Sequence, residues 1–159
     1  MRYSTAPMCR PIKIVTAGVI ALGGVFLVAS LWNPFLLPGA GLLFLLCVAC
    51  YLRAPIAYDI SRTGLTVVFR LGTRHFGPIV RISPQDKRVG FSFRLWGNGG
   101  LFAGTGIFWN RTWGLFRAYV TTSKCAGYLL VETPSQKVLI SPSDPAGLFR
   151  QFSSDGSTP

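Results

Sequence analysis

Apolar residues form one uninterrupted block near the start of the chain, over residues 14–52. No Asp, Glu, Lys, Arg or His falls within these 39 positions, which is too long a run for one membrane crossing of about 20 residues. Asn33 and Pro34 divide the block, because Asn favours a turn and Pro suits the first turn of a new helix. The pattern therefore predicts two transmembrane helices with a turn near residues 32–34.

Two alternatives to a full helical hairpin remain open. Pro38 and Gly39 would shorten the second helix, which would then be a shallow, re-entrant segment. A cleaved signal peptide is the other alternative, because a basic start and an apolar stretch precede Val28-Ala29-Ser30, which imitates a cleavage site. Cleavage there would leave the second apolar segment in place, so both alternatives keep the protein at the membrane.

Basic residues flank the apolar block on both sides. Arg2, Arg10 and Lys13 precede it and Arg53 follows it, whereas the turn carries none. Lys and Arg in short flanking segments resist translocation, so both ends of the block are expected on the cytoplasmic side. We therefore expect an integral protein of the inner, cytoplasmic membrane, with residues 1–13 as a basic cytoplasmic N-terminus and the C-terminus also cytoplasmic.

The pattern changes after residue 55 to short β-branched and aromatic runs separated by Gly, Pro, Ser, Asn and Asp, which is typical of a sandwich or barrel. Alternation of apolar and polar positions is clearest over residues 65–70. Asp144 and Pro145 then predict the start of an amphipathic helix, and residues 153–159 a disordered tail. The predicted strands cover residues 56–61, 65–71, 79–82, 89–95, 102–109, 115–122, 128–133 and 138–141.

Several segments of this second region resemble the bacterial PH-domain family. They are GLFRAYVT at residues 114–121, VET at 131–133 and VLISPSDP at 138–145, preceded by a Gly-rich segment at 97–106. The resemblance implies a mainly-β PH-like domain over residues 56–152, with two packed antiparallel sheets, a partly open barrel and a C-terminal capping helix. A transmembrane hairpin ahead of this domain is also similar to what the family often carries. The resemblance implies no ligand and no catalytic residue.

The apolar block and the β-rich region differ in charge. The net charge of +11, the 13% of charged residues and the mean hydropathy of +0.43 average over an uncharged block and a basic domain. All 5 acidic residues and 13 of the 16 Lys and Arg lie from Arg53 onward. Anionic headgroups attract basic residues held near the bilayer. The candidate contacts with anionic lipid or a partner are Arg53, Arg70, Arg74, Arg81, Lys87, Arg88 and Arg94.

Groups for catalysis are scarce. His75 is the single histidine, and the carboxylates are isolated in sequence, whereas acid–base catalysis needs positioned titratable groups. No cluster has the spacing of a metal site. The Gly-rich residues 97–106 fit no nucleotide-binding motif and are interpreted as a bulged hairpin or a barrel corner. We therefore expect no enzyme, cofactor or metal.

The leading hypothesis is a non-catalytic, membrane-anchored PH-like module that contacts anionic lipid headgroups or a protein partner, including a second copy. The alternative is an accessory subunit of a larger membrane complex, with the hairpin as its main contact. Trp96, Trp109 and Trp113 suit either the membrane interface or the core. Arg and aromatic residues at 108–113 also suit stacking on nucleic acid, but a membrane anchor disfavours that partner.

Overall fold

Two apolar helices precede two β-sheets and a C-terminal helix. The computed structural model describes residues 2–61, 63–85, 92–122 and 127–155. The helices are α1 (Arg10–Ala29), α2 (Leu37–Leu52) and α3 (Pro145–Asp155), with a 3-10 turn at Pro34–Leu36. The strands are β1 (Arg2–Ser4), β2 (Pro55–Ser61), β3 (Gly64–Phe69), β4 (Thr73–Phe76), β5 (Arg81–Gln85), β6 (Ser92–Gly99), β7 (Gly104–Asn110), β8 (Gly114–Val120), β9 (Tyr128–Glu132) and β10 (Lys137–Ile140).

The two predicted apolar helices are confirmed, and the turn lies between them as expected. Asn33 caps the 3-10 turn that leads into α2, since its Oδ1 accepts a hydrogen bond from the backbone N–H of Phe35 at 3.2 Å. Pro38 lies in the first turn of α2, where its missing N–H breaks no helical hydrogen bond. Both helical segments are long and apolar enough to cross a membrane, and only 11% and 6% of their positions are buried.

The β region forms two separate sheets that do not close into a barrel. One sheet has the order β1-β2-β3-β4 and the other β5-β9-β10-β8-β7-β6. The family resemblance implied antiparallel sheets, and among the described strands every pairing but one is antiparallel, the exception being the parallel pairing of β10 with β8. This exception arises because β10 lies between β8 and β9 and runs antiparallel to β9, so that it takes the direction of β8.

The main core lies between the two sheets and under α3. Leu65 and Val67 point into it from β3, whereas Thr66 between them is half-buried, as alternation predicts. Leu130 and Leu139 face the other side of the six-stranded sheet, in a second cluster with Phe116, Ala118 and Tyr128. The main core comprises Tyr58, Leu65, Val67, Phe76, Ile82, Tyr119, Leu129, Val131, Val138, Ile140 and Leu148. Strands β9 and β10 are therefore buried on both faces, which explains their continuous apolar runs.

Some elements differ from the prediction. Strands β1 and β4 were not predicted, and the predicted strand at 79–82 begins instead at Arg81. The predicted start of α3 is confirmed: Asp144 precedes it, and its Oδ1 accepts a hydrogen bond from the N–H of Gly147 at 2.9 Å. The helix extends to Asp155, so the prediction of a disordered tail is wrong at residues 153–155, and residues 156–159 lie outside the described residues.

The N-terminal residues belong to the β domain, although the sequence predicted a separate segment over residues 1–13. Strand β1 pairs antiparallel with β2, in the register Tyr3 opposite Tyr58. The N–H of Ala6 donates to the carbonyl of Ser141 at 2.8 Å, beyond the end of β10. Strands β1 and β2 directly flank the two helices, so both ends of the helical hairpin meet the β domain on the same side.

Candidate functional site

A cavity of about 350 Å³ lies where the helical hairpin joins the β domain. The chain entering α1 and the chain leaving α2 form two of its walls, which include Met8, Tyr51 and Ile56. Arg70 and Phe102 line it from the β domain. Its described walls combine apolar surface with the cation of Arg70.

The guanidinium group of Arg70 lies against the C-terminal end of α2. Its guanidinium carbon lies 4.2 Å from the centroid of the Tyr51 ring, within the range of a cation–π interaction. The backbone N–H of Leu71 donates to the carbonyl of Leu52 at 3.3 Å and so fixes the turn after β3 to the end of α2. Arg70 is exposed, and among the described residues no carboxylate forms an ion pair with it. Its charge is therefore available to an anion at the cavity.

Phe102 closes the cavity from the turn between β6 and β7. Its backbone N–H donates to Oγ1 of Thr16 in α1 at 3.0 Å, so the turn is bonded to one helix. Its ring meets the Tyr51 ring of α2 edge-on, with the centroids 5.3 Å apart. One residue of the β domain thus contacts both helices.

The Gly-rich segment is a bulged hairpin, as predicted, because the register of β6 and β7 shifts between Arg94 and Trp96. Gly97 and Gly106 lie opposite each other with positive φ, and a Cβ on Gly97 would lie 2.3 Å from the carbonyl oxygen of Thr105. Oδ1 of Asn98 accepts from the N–H groups of residues 100 and 101 at 3.2 and 2.9 Å. These amides are already satisfied, which disfavours a phosphate-binding loop.

The five predicted basic contact residues within the described ranges do not form one face. Arg53 ends α2, so it and Arg70 both lie at the base of the hairpin. Arg81 begins β5 and Arg94 lies in β6, which are opposite edges of the six-stranded sheet. Five strand spacings, or about 24 Å, separate these edges.

Arg74 is not among the described residues that line the cavity. Arg74 lies in β4, with its guanidinium carbon 5.8 Å from the centroid of the Phe76 ring. Lys87 and Arg88 lie outside the described residues. Of the predicted set, Arg70 lines the cavity, and Arg53 follows the last residue of α2. Met8, Tyr51 and Phe102 were not predicted, although an aromatic residue at the end of an apolar helix is itself a signal of a membrane interface.

The side chains of His75 and Tyr58 form hydrogen bonds within the β domain. His75 is exposed on β4, and its Nδ1 lies 2.9 Å from Oγ1 of Thr66. The hydroxyl of Tyr58 donates to the carbonyl of Tyr119 at 2.6 Å and accepts from the N–H of Ser141 at 3.3 Å. Burial raises the pKa of Tyr58 to about 12. Within the described ranges, no three His, Cys, Asp or Glu residues come together as metal ligands would.

The tryptophans divide between surface and core. Trp96 is 77% exposed and Trp109 42%. Trp113 is half-buried and packs edge-on against Phe116, with ring centroids 5.2 Å apart. Phe108 stacks on Phe116, on the face of β7 opposite Trp109. The aromatic residues of 108–113 therefore point in opposite directions and do not form one stacking surface for bases.

Two open sheets, a C-terminal helix and a helical hairpin at their base define a PH-like domain on an apolar hairpin. The family model for the bacterial PH domain matches residues 58–155, and the chain belongs to this family. Comparison with curated proteins and with solved structures returned no match. The match begins in β2, so β1, α1 and α2 precede it. PH domains are generally non-catalytic binding modules, and the PH-like domain suggests a binding or scaffold module.

Proposed function

We propose that this protein is a membrane-anchored, non-catalytic PH-like module that contacts anionic lipid headgroups at the cytoplasmic face. In this proposal α1 and α2 cross the inner membrane. Their length and their exposed apolar side chains support this, since Leu42 and Phe44 are both 69% exposed. Side chains of this kind are stable in lipid and unfavourable in water.

The observation that carries the proposal is the position of Arg70 over the cavity at the base of the hairpin. At that level a membrane presents its phosphate groups, and Arg binds phosphate through two parallel hydrogen bonds. Among the described residues that line the cavity, none is acidic. Each basic residue near an anionic surface contributes about 1 kcal/mol, so Arg70 and Arg53 together favour anionic over neutral headgroups.

The cytoplasmic orientation is part of the same proposal. The pairing of β1 with β2 keeps both ends of the helical hairpin on one side. Arg2, Arg10, Lys13 and Arg53 all lie at those ends, and basic flanks remain on the cytoplasmic side. The N-terminus and the β domain therefore share that side.

The experiment uses the full chain in neutral detergent micelles, titrated with phosphatidylglycerol or phosphatidylcholine while thermal unfolding is followed. We expect phosphatidylglycerol to stabilise the protein more, and Arg70→Gln to weaken its binding about fivefold, as the loss of about 1 kcal/mol implies. Arg81→Gln is the matched control, because Arg81 is equally exposed but lies away from the cavity. Equal stabilisation by both lipids, or an equal loss in both variants, would contradict the proposal.

An accessory subunit of a larger membrane complex is the second candidate. Gly18 and Gly24 favour it, because both are exposed and a Cβ on either would meet nothing within 4 Å. They lie away from the contact between α1 and α2. Small residues on a free face suit close packing of another helix. Pull-down of one stoichiometric partner, lost on Gly18→Leu with Gly24→Leu, would favour this candidate.

A further inference from the structure

The turn between β6 and β7, residues 100–103 and named here the tip loop, lies against the helices where the chain has no charge. Phe102 contacts Thr16 and Tyr51, as described above. Thr16 lies three residues beyond Lys13, the last charged residue before the apolar block, which is about 4.5 Å further along α1. The tip loop therefore reaches the level at which α1 is already apolar.

Large exposed apolar side chains lie on β6, beyond the tip loop, whose own Leu101 and Ala103 are buried. Leu95 is 58% exposed and Trp96 77%. The bulge between Arg94 and Trp96 makes Leu95 the extra residue of the strand. Trp96 pairs with Ile107, so it shares a sheet face with Trp109 on the neighbouring strand. A cluster of large exposed apolar side chains marks an interaction surface.

We propose that this β-hairpin is a third membrane-contacting element: the tip loop enters the leaflet that holds the ends of α1 and α2, and Trp96 lies in its headgroup layer. The inference rests on the membrane anchoring proposed above. It adds an apolar contact to the electrostatic contact of Arg70. The occupant of this surface is the lipid bilayer, because the tip loop is bonded to helices that lipid surrounds at that level.

Distances along the strands agree with this placement. Trp96 is three residues from Gly99, or about 10 Å along β6, and the headgroup region of one leaflet is about 5–8 Å thick. The tip loop lies about 4.5 Å deeper than Lys13, the last charged residue before the apolar block. About 10 Å back along β6, Trp96 is thus at headgroup level, where Trp is favoured. Trp109 lies about 17 Å from Gly104 at the end of β7, and Trp113 lies beyond that strand. Trp96, Trp109 and Trp113 therefore lie at increasing distances from the tip loop.

The test compares four full-length variants, each of which keeps a single tryptophan and has Phe in place of the other three. They are reconstituted in phosphatidylcholine vesicles, with or without phosphatidylcholine brominated near the glycerol end of its acyl chains. Bromine quenches nearby indoles. We expect the Trp96 variant to lose about half of its emission, as suits an interfacial ring, the Trp109 variant less, and the Trp113 variant almost none.

Trp32, in the turn between the helices, separates the two proposals. An unquenched Trp32 would overturn the anchoring itself. A quenched Trp32 with an unquenched Trp96, or with Trp113 quenched as strongly as Trp96, would overturn the inference about the tip loop alone. Trp96→Phe in the otherwise natural chain gives a second measurement, since Trp96 is exposed and its replacement removes little buried contact. That variant should lose quenchable emission, whereas Trp113→Phe should not.

Discussion

The helical hairpin and the β domain bury apolar residues to opposite extents. In the β domain Leu65, Leu129 and Ile140 are 0% exposed, whereas Leu42 and Leu45 in α2 are 69% and 65% exposed. Both regions are rich in apolar residues, so composition alone does not distinguish them. The difference shows that the β domain makes its own apolar core, and that the hairpin leaves its apolar surface for an external medium.

The largest expected effect is on the free energy of unfolding, and it is measured by one substitution in each region. Leu129→Ala removes a fully buried side chain from the core between the sheets and should lower the free energy of unfolding of the β domain by about 2–5 kcal/mol. Leu42→Ala is the matched control and should change it by less than about 0.5 kcal/mol. Denaturant unfolding in neutral micelles measures both. Similar losses in the two variants would show that the hairpin folds as part of the β-domain core.

A charge in the hairpin gives the next largest effect. Leu42→Arg should disfavour membrane insertion of α2 by about 3 kcal/mol, because an Arg at the centre of a membrane helix is unfavourable. Membrane fractionation with a topology reporter after Arg53 measures it, and the reporter is expected on the cytoplasmic side in the natural chain. If the reporter stayed on the same side in Leu42→Arg, residue 42 would lie away from the centre of the hydrocarbon, as the shallow or re-entrant alternative requires.

The sequence predicted each region to the extent that local pattern determines it. The uncharged block identified both helices, and alternation identified β3, because Leu65 and Val67 bury one face of an ordinary half-covered strand. Strand β4 was missed, since three of its four residues are polar or charged and exposed. Backbone pairing with β3 places it in the sheet, and this pairing requires no alternation of apolar and polar side chains.

The candidate site could not be predicted from local pattern. Met8, Tyr51, Arg70 and Phe102 are far apart in sequence, and the pairing of β1 with β2 and the bond from Phe102 to Thr16 bring them together. Arg70 and Arg81 look alike in the sequence, since each lies among β-branched and aromatic residues. Only the strand order separates them, and strand order is a property of the whole chain.

Tyr58 offers a smaller effect, which depends on pH and is confined to the β domain. Tyr58→Phe removes the hydroxyl that donates to the carbonyl of Tyr119 and accepts from the N–H of Ser141. The free energy of unfolding at neutral pH should therefore fall by about 1–3 kcal/mol. The Tyr58 pKa of about 12 in the folded protein exceeds the unfolded value of about 10. The unfolded chain therefore loses this proton first, and the natural protein should lose stability as the pH rises from 10 through 12. Unfolding measured at several pH values checks this, and a constant difference between the two proteins would contradict it.

The smallest effect lies where the two regions meet. Oγ1 of Thr121 donates to the carbonyl of Ala6 at 2.5 Å and so holds the segment between β1 and α1 to the end of β8. Thr121→Val should reduce stability by about 0.5–1.5 kcal/mol. Hydrogen exchange should become faster at Thr5 and Ala6, by up to about tenfold.

Thr133→Val is the matched control for this variant. Thr133 is as buried as Thr121, and its Oγ1 donates to the carbonyl of Gln136 at 2.8 Å in the turn between β9 and β10, away from the hairpin. A similar global loss is expected there, with no change of exchange at Thr5 or Ala6. If both threonine variants accelerated exchange at these two residues equally, the segment would open only with the whole β domain. The N-terminal segment would then be part of the core and not a separate joint between the two regions.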